Sequence, residues 1–171
     1  MDAYVELARK TIDLYIREGK TLRPEALDLP QELFSKRAGA FVSIHEKGEL
    51  RGCIGTIAPT QHTLAQEIVS NAIAASTRDP RFDAIQVKEL PLLTIHVDVL
   101  GEPEPIQSMQ ELDVKRYGVI VSKGSRRGLL LPDLEGVDTV EYQVAIARRK
   151  AGIRDYEKDV KMYRFEVVRH E

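Results

Sequence analysis

Ala40-Phe41-Val42-Ser43-Ile44-His45-Glu46-Lys47-Gly48-Glu49-Leu50-Arg51-Gly52-Cys53-Ile54-Gly55-Thr56-Ile57 is the stretch whose reading decides the fold. Residues 40–45 are β-rich, Glu46 to Glu49 reads as a turn, and residues 50–57 form a return strand. Gly48 supplies the positive φ that such a turn needs, and Pro59 ends the strand. Two registers are open. A two-residue turn at Lys47-Gly48 pairs Cys53 with Val42 and Arg51 with Ile44. A three-residue turn pairs Cys53 with Phe41 and Arg51 with Ser43.

Outward from this hairpin the pattern alternates between helix and strand. Val5, Ala8, Ile12, Tyr15 and Ile16 recur at helical spacing between an Asp2 cap and a Gly19 stop. Leu64, Ile68, Ala72 and Ala75 stripe a second, Ala-rich helix over 61–77, which Pro80 prevents from continuing. Leu93, Ile95, Val97 and Val99 alternate with Thr94, His96 and Asp98, the period of a strand over 92–100. A Pro-containing connection at 102–107 and a short helix near 109–115 follow. Strands are expected at 118–123 and 128–131, then a helix from Thr139 to Ala151 capped by Asp138 and Glu141, then a strand from Met162 to Val168. Short connections between strands require antiparallel pairing. The expected class is α+β, a mostly antiparallel sheet covered by helices. No repeat, low-complexity tract or long linker stands out, so residues 1–171 read as a single domain.

The 171 residues carry 25 basic and 27 acidic side chains, a net charge of −2, which excludes a strongly basic nucleic-acid binder. One cysteine excludes an intrachain disulfide and every multi-cysteine metal site. No metal and no cofactor are expected. No apolar run approaches the ~20 residues of a membrane span, and none resembles a signal-peptide core. These readings make the cytoplasm the expected location, with neither nucleic acid nor membrane as a partner.

Two places hold chemistry. On a regular strand Arg51 and Cys53 share a face, with Cα atoms about 6.8 Å apart. A guanidinium there would lower the thiol pKa and favour a nucleophile, whereas an unpaired cysteine is more usually a small buried hydrophobe. Gly52 and Gly55 mark bends or close approaches. Lys123-Gly124-Ser125-Arg126-Arg127-Gly128 sets three cations and two glycines in one turn, suited to phosphate or carboxylate. The pair His96 and Asp98 reads as the solvent side of its strand. Asp79-Pro80-Arg81-Phe82 reads as a structural helix exit.

Leu50-Arg51-Gly52-Cys53-Ile54-Gly55-Thr56 resembles the hallmark of the AMMECR domain family. The likeness extends to Asp79-Pro80-Arg81-Phe82, Glu89-Leu90-Pro91, the strand at 93–99, Arg126-Arg127-Gly128-Leu129-Leu130-Leu131-Pro132, Lys150-Ala151-Gly152 and Tyr163-Arg164-Phe165. The resemblance implies an α+β fold with a larger and a smaller lobe, the LRGCIG-type motif near a cleft between them. It also implies membership of the AmmeMemoRadiSam set, beside a Memo-like protein and a radical S-adenosylmethionine protein. Many members carry a second cysteine before the Lys-Ala-Gly; here that place is Arg148, which argues against a two-thiol mechanism. The expected function is an anion- or partner-binding module using Arg51, Gly52, Gly55, Lys123, Arg126 and Arg127. The alternative is an enzyme with Cys53 as nucleophile or acid–base group and Arg51 holding its thiolate.

Overall fold

The computed structural model describes residues 2–171. In chain order its helices and strands are α1 (Ala3–Glu18), α2 (Glu32–Ser35), β1 (Ala40–Glu46), β2 (Glu49–Gly55), α3 (Leu64–Thr77), β3 (Leu93–Leu100), β4 (Glu104–Ile106), β5 (Gly118–Lys123), β6 (Arg126–Leu130), α4 (Val140–Ala151), β7 (Lys161–Phe165) and β8 (Val167–His170). The chain divides into two compact units, one of residues 1–100 with 168–171, the other of residues 101–167. The class is α+β, with two antiparallel sheets in place of one.

In the first unit the strand order is β2-β1-β3-β8. The inward faces of β1 and β3, with Val42, Ile44, Ile95, Val97 and Val99, join α1 and α3 in a core that includes Leu7, Ile12, Leu64, Ile68 and Ala72. Period-two and period-3.6 patterns thus bury against each other. Asp2 accepts from Tyr4 N at 2.7 Å to start α1, and Gly19 ends it in the left-handed region, φ 67°. Thr63 caps α3. The carboxylate of Glu67, fully buried, accepts from Thr60 N and Thr60 Oγ1 (both 2.7 Å), Thr56 Oγ1 (2.8 Å) and Gln61 N (3.0 Å). Burial raises its pKa, but these donors outweigh burial and the net shift is downward. Glu67 therefore staples the segment after β2 to α3.

In the second unit the order is β4-β7-β5-β6, with α4 over a core that includes Val119, Val121, Leu130, Val144 and Ala147. Thr139, not Asp138, caps α4, accepting from Tyr142 N at 3.2 Å. The proline-bearing connection at 102–107 contains a short edge strand, β4, and the helix near 109–115 is only a 3-10 turn at Met109–Glu111. The last strand is two strands: β7 ends at Phe165, and β8 joins the first unit's sheet from Val167.

The two units share one strand plan without a repeat in the sequence. Each unit has a hairpin, then a helix, then a strand that pairs antiparallel with the hairpin's first strand. The hairpins carry Lys47-Gly48-Glu49-Leu50-Arg51-Gly52 and Lys123-Gly124-Ser125-Arg126-Arg127-Gly128. In each, the closing glycine lets a helix backbone approach. A Cβ on Gly52 would stand 2.2 Å from the Ala75 carbonyl oxygen, and one on Gly128 would stand 2.1 Å from that of Ala147. Gly52→Ala and Gly128→Ala are each expected to destabilise by about 1–3 kcal/mol through overpacking, read as a lower urea midpoint. Exposed Val168→Ala, the control, should shift it by no more than about 0.5 kcal/mol.

Candidate functional site

The hairpin turn is Lys47-Gly48, with φ 52° and 82°, both left-handed as a tight two-residue hairpin requires. Neither sequence register holds. Ile44 pairs with Gly52 and His45 with Leu50, so Arg51 is an extra residue in β2 and Cys53 stands opposite Ser43. This is a β-bulge, and it re-aims the side chain it carries.

The Arg51 guanidinium is committed to a cluster of carboxylate and carbonyl oxygens. It donates to Glu89 at 2.9 and 3.3 Å and to the carbonyls of Asp83 (2.7 Å) and Ala84 (3.4 Å), with Glu46 3.8 Å away. Its hydrogen bond holds Glu89 down at about 2. Burial and the neighbouring Glu89 push Glu46 up. Arg51 thus ties the hairpin to the segment at 83–89, and it is not among the groups that shift the thiol. The glycines are likewise taken up by the protein itself: Gly52 admits α3, and the Phe41 ring lies where a Cβ on Gly55 would be, 2.2 Å away.

Cys53 sits at the sheet edge, since β2 is an outermost strand. Its N–H donates to Asp79 Oδ2 at 3.0 Å, and its carbonyl accepts from Arg81 Nη2 at 3.4 Å. Arg81 in turn grips Asp79 at 2.8 and 3.0 Å. The Asp79-Pro80-Arg81 turn therefore closes an exposed strand edge with charged groups. Because both Cys53 backbone groups point outward, Cys53 and Ser43 form a non-hydrogen-bonded pair, whose side chains are the closer kind. The Cys53 Sγ lies 3.4 Å from Ser43 Oγ, within hydrogen-bonding reach. The Arg81 hydrogen bond holds Asp79, whose side chain is 2% exposed, well below the usual carboxylate range.

Ser43 also stands opposite His96 on β3, and Phe41 opposite Asp98. Cys53, Ser43, His45, His96 and Asp98 thus share the face of the sheet turned away from the helices. Asp98 is buried and paired with Arg169 of β8 at 2.7 Å. The His45 and His96 rings are 5.8 Å apart. Burial, with His96 and Arg169 nearby, lowers the His45 pKa and favours its neutral form. His96 is two strands from Cys53, roughly 10 Å by backbone spacing, and Ser43 intervenes. Burial pushes the thiol pKa up; Ser43 and Arg81 oppose this, and Asp98 and Asp79 add to it. The resting group is a protonated thiol. Among the described residues no group of three His, Cys, Asp or Glu is placed to hold a metal ion.

In the second unit the basic turn already holds an anion of its own. Arg126 binds Glu157 through two hydrogen bonds, 2.6 and 2.9 Å, and Lys123 lies 3.7 Å from the same carboxylate. Arg126 and the Arg154 N–H hold Glu157 at about 2. Arg127 is exposed and outside this cluster. Arg148, where the family resemblance suggests a second cysteine, donates to the Glu157 carbonyl at 2.9 Å and braces the same loop. Sequence reasoning missed Ser43, Asp79 and Arg81 as neighbours of Cys53, and His96 and Asp98 as residues on the same sheet face. The Thr94-His96-Asp98 alternation and the Asp79-Pro80-Arg81 motif were the available signals.

The AMMECR1 family model matches residues 5–170, and the chain belongs to that family. A protein of Thermotoga maritima is 55% identical over 98% of this chain and 96% of its own length. One of Clostridium acetobutylicum is 46% identical over 99% of this chain, which spans only 36% of that longer protein. The crystal structure of an uncharacterized protein from Pyrococcus horikoshii superposes with a TM-score of 0.90 at 33% identity, covering 97% of this chain and 88% of that one. Among the described residues no helix is long and apolar enough to cross a membrane.

Glu89 and Glu157, both held at about 2 from an ordinary 4.5, give a pH prediction. A depressed carboxylate adds stability above its unfolded pKa and loses it as the pH falls through the folded one. Stability should therefore decline between pH 4.5 and 2. Arg51→Gln should flatten part of that decline, and Glu157→Gln another part, in urea titrations across the range. Equal slopes in variants and parent would contradict the assignment.

Proposed function

We propose that the chain is a binding module that docks a protein partner, its two units acting as one domain, and not a cysteine enzyme. The observation that carries this reading is the setting of Cys53. Its sulfur touches a serine hydroxyl, its pKa is raised, and among the described residues no imidazole hydrogen-bonds it. A nucleophilic thiol needs the opposite: a lowered pKa or an adjacent base. The nearby cation, Arg81, is bound to Asp79 and to the Cys53 backbone.

The same reasoning narrows the anion-binding reading. An anion at Arg51 must displace Glu89, and one at Lys123 or Arg126 must displace Glu157. Arg127 is the member of that set left to meet a partner's carboxylate directly. The partners to which the family resemblance points are a Memo-like protein and a radical S-adenosylmethionine protein.

Two experiments test this. Alkylation of the folded chain by iodoacetamide should keep rising with pH beyond the ordinary thiol value of 9.0. A plateau reached at neutral pH would restore the enzyme reading. A purified Memo-like protein from the same cell should co-elute with the chain. Cys53→Ser should leave that complex intact, and Arg127→Glu should weaken it by about tenfold, the scale of one charge-assisted contact. Failure to co-elute would remove the docking proposal.

A further inference from the structure

A groove of the first unit, about 640 Å³, shares no lining residue with the Cys53 face. It lies along α3 and the segment that follows α1. Leu22, Val69 and Ile73 give it an apolar floor, and Arg23 and Arg78 line it as well. Its volume falls within the range of ordinary small-molecule sites, roughly 300–1,000 Å³.

The state of the two arginines is the informative feature. Arg51, Arg81 and Arg126 each close on a carboxylate of the chain itself. Among the described residues the side chains of Arg23 and Arg78 form no such pair. Glu25, the one carboxylate lining the groove, lies beyond ion-pair distance of both. Ser70 adds a hydroxyl to the same wall. Arg78 follows the last turn of α3, where the helix dipole favours a cation. Two uncommitted guanidiniums beside an aliphatic floor match a ligand with one anionic and one apolar end.

We propose that this groove binds a small organic anion with an apolar body. Its carboxylate or phosphate would be held by Arg23 and Arg78, and its hydrocarbon would lie on Leu22, Val69 and Ile73. This site goes beyond the docking reading and does not depend on it.

The test is titration of the full chain, followed by backbone amide NMR, with phenylacetate, phenyl phosphate, inorganic phosphate and benzyl alcohol. The expected result is saturable shifts at Val69, Ser70, Ile73 and Arg78 with one or both aryl anions. Inorganic phosphate and benzyl alcohol should bind at least about tenfold more weakly, since each supplies only half of the recognition. The ratio between the two aryl anions assigns the head group as carboxylate or phosphate. Arg23→Gln and Arg78→Gln should each weaken binding by about tenfold or more. Arg149→Gln, an exposed arginine of α4, should leave it unchanged. Three results would overturn the proposal: no saturable shift at these amides, equal affinity for benzyl alcohol, or parental affinity in both groove variants. Cys53 alkylation and co-elution with a Memo-like protein read a different surface, so either proposal can fail while the other stands.

Discussion

The pair of hydrogen bonds at the Cys53 peptide, its N–H donating to Asp79 and its carbonyl accepting from Arg81, is the constraint on which the site depends. An edge strand leaves a row of donors and acceptors open to whatever strand arrives. Here a turn at the exit of α3 closes that row at one residue. Both of the charges it uses are spent on each other and on the Cys53 peptide. The clamp fixes the direction of the Cys53 peptide, the non-hydrogen-bonded pairing with Ser43 follows, and the sulfur is thereby set against a hydroxyl. Gly52, one residue earlier, admits α3 so closely that the turn can reach the strand at all. The arginine, glycine and cysteine of the motif therefore serve three neighbouring contacts of one joint.

The same economy appears in the second unit, where Gly128 admits α4 and Glu157 fills the space between Lys123 and Arg126. Two units built on one plan use their basic hairpins to bind their own chain. Each guanidinium satisfied in this way is a positioning group, and its bonds offset part of the entropy lost in ordering the loop segments it braces.

Much of this fold was legible in the sequence. The alternation from Leu93 to Val99 and the Asp2-to-Gly19 helix are local patterns, and local patterns survive folding. The bulge at Arg51 was not legible, because one extra residue in β2 shifts every pairing beyond it while leaving the composition untouched. The partner of Arg51 lies 38 residues away at Glu89, and that of Arg126 lies 31 residues away at Glu157. Such pairings are set by tertiary approach, so a cluster of cations in sequence looked like an unfilled anion site. Met162 to Val168 reads as one strand because its residues share β propensity, yet it feeds two sheets. His96 was set aside for the same kind of reason: an alternating strand shows which residues share a face, but not which strand lies beside it.

Amide hydrogen exchange at Cys53 tests the clamp most directly. If Asp79 holds this N–H, it should exchange as slowly as the ladder amides of β1, and Asp79→Asn, which keeps the side chain's size but removes its charge, should speed it markedly. Exchange at the rate of an open edge, or a rate indifferent to Asp79, would contradict the account.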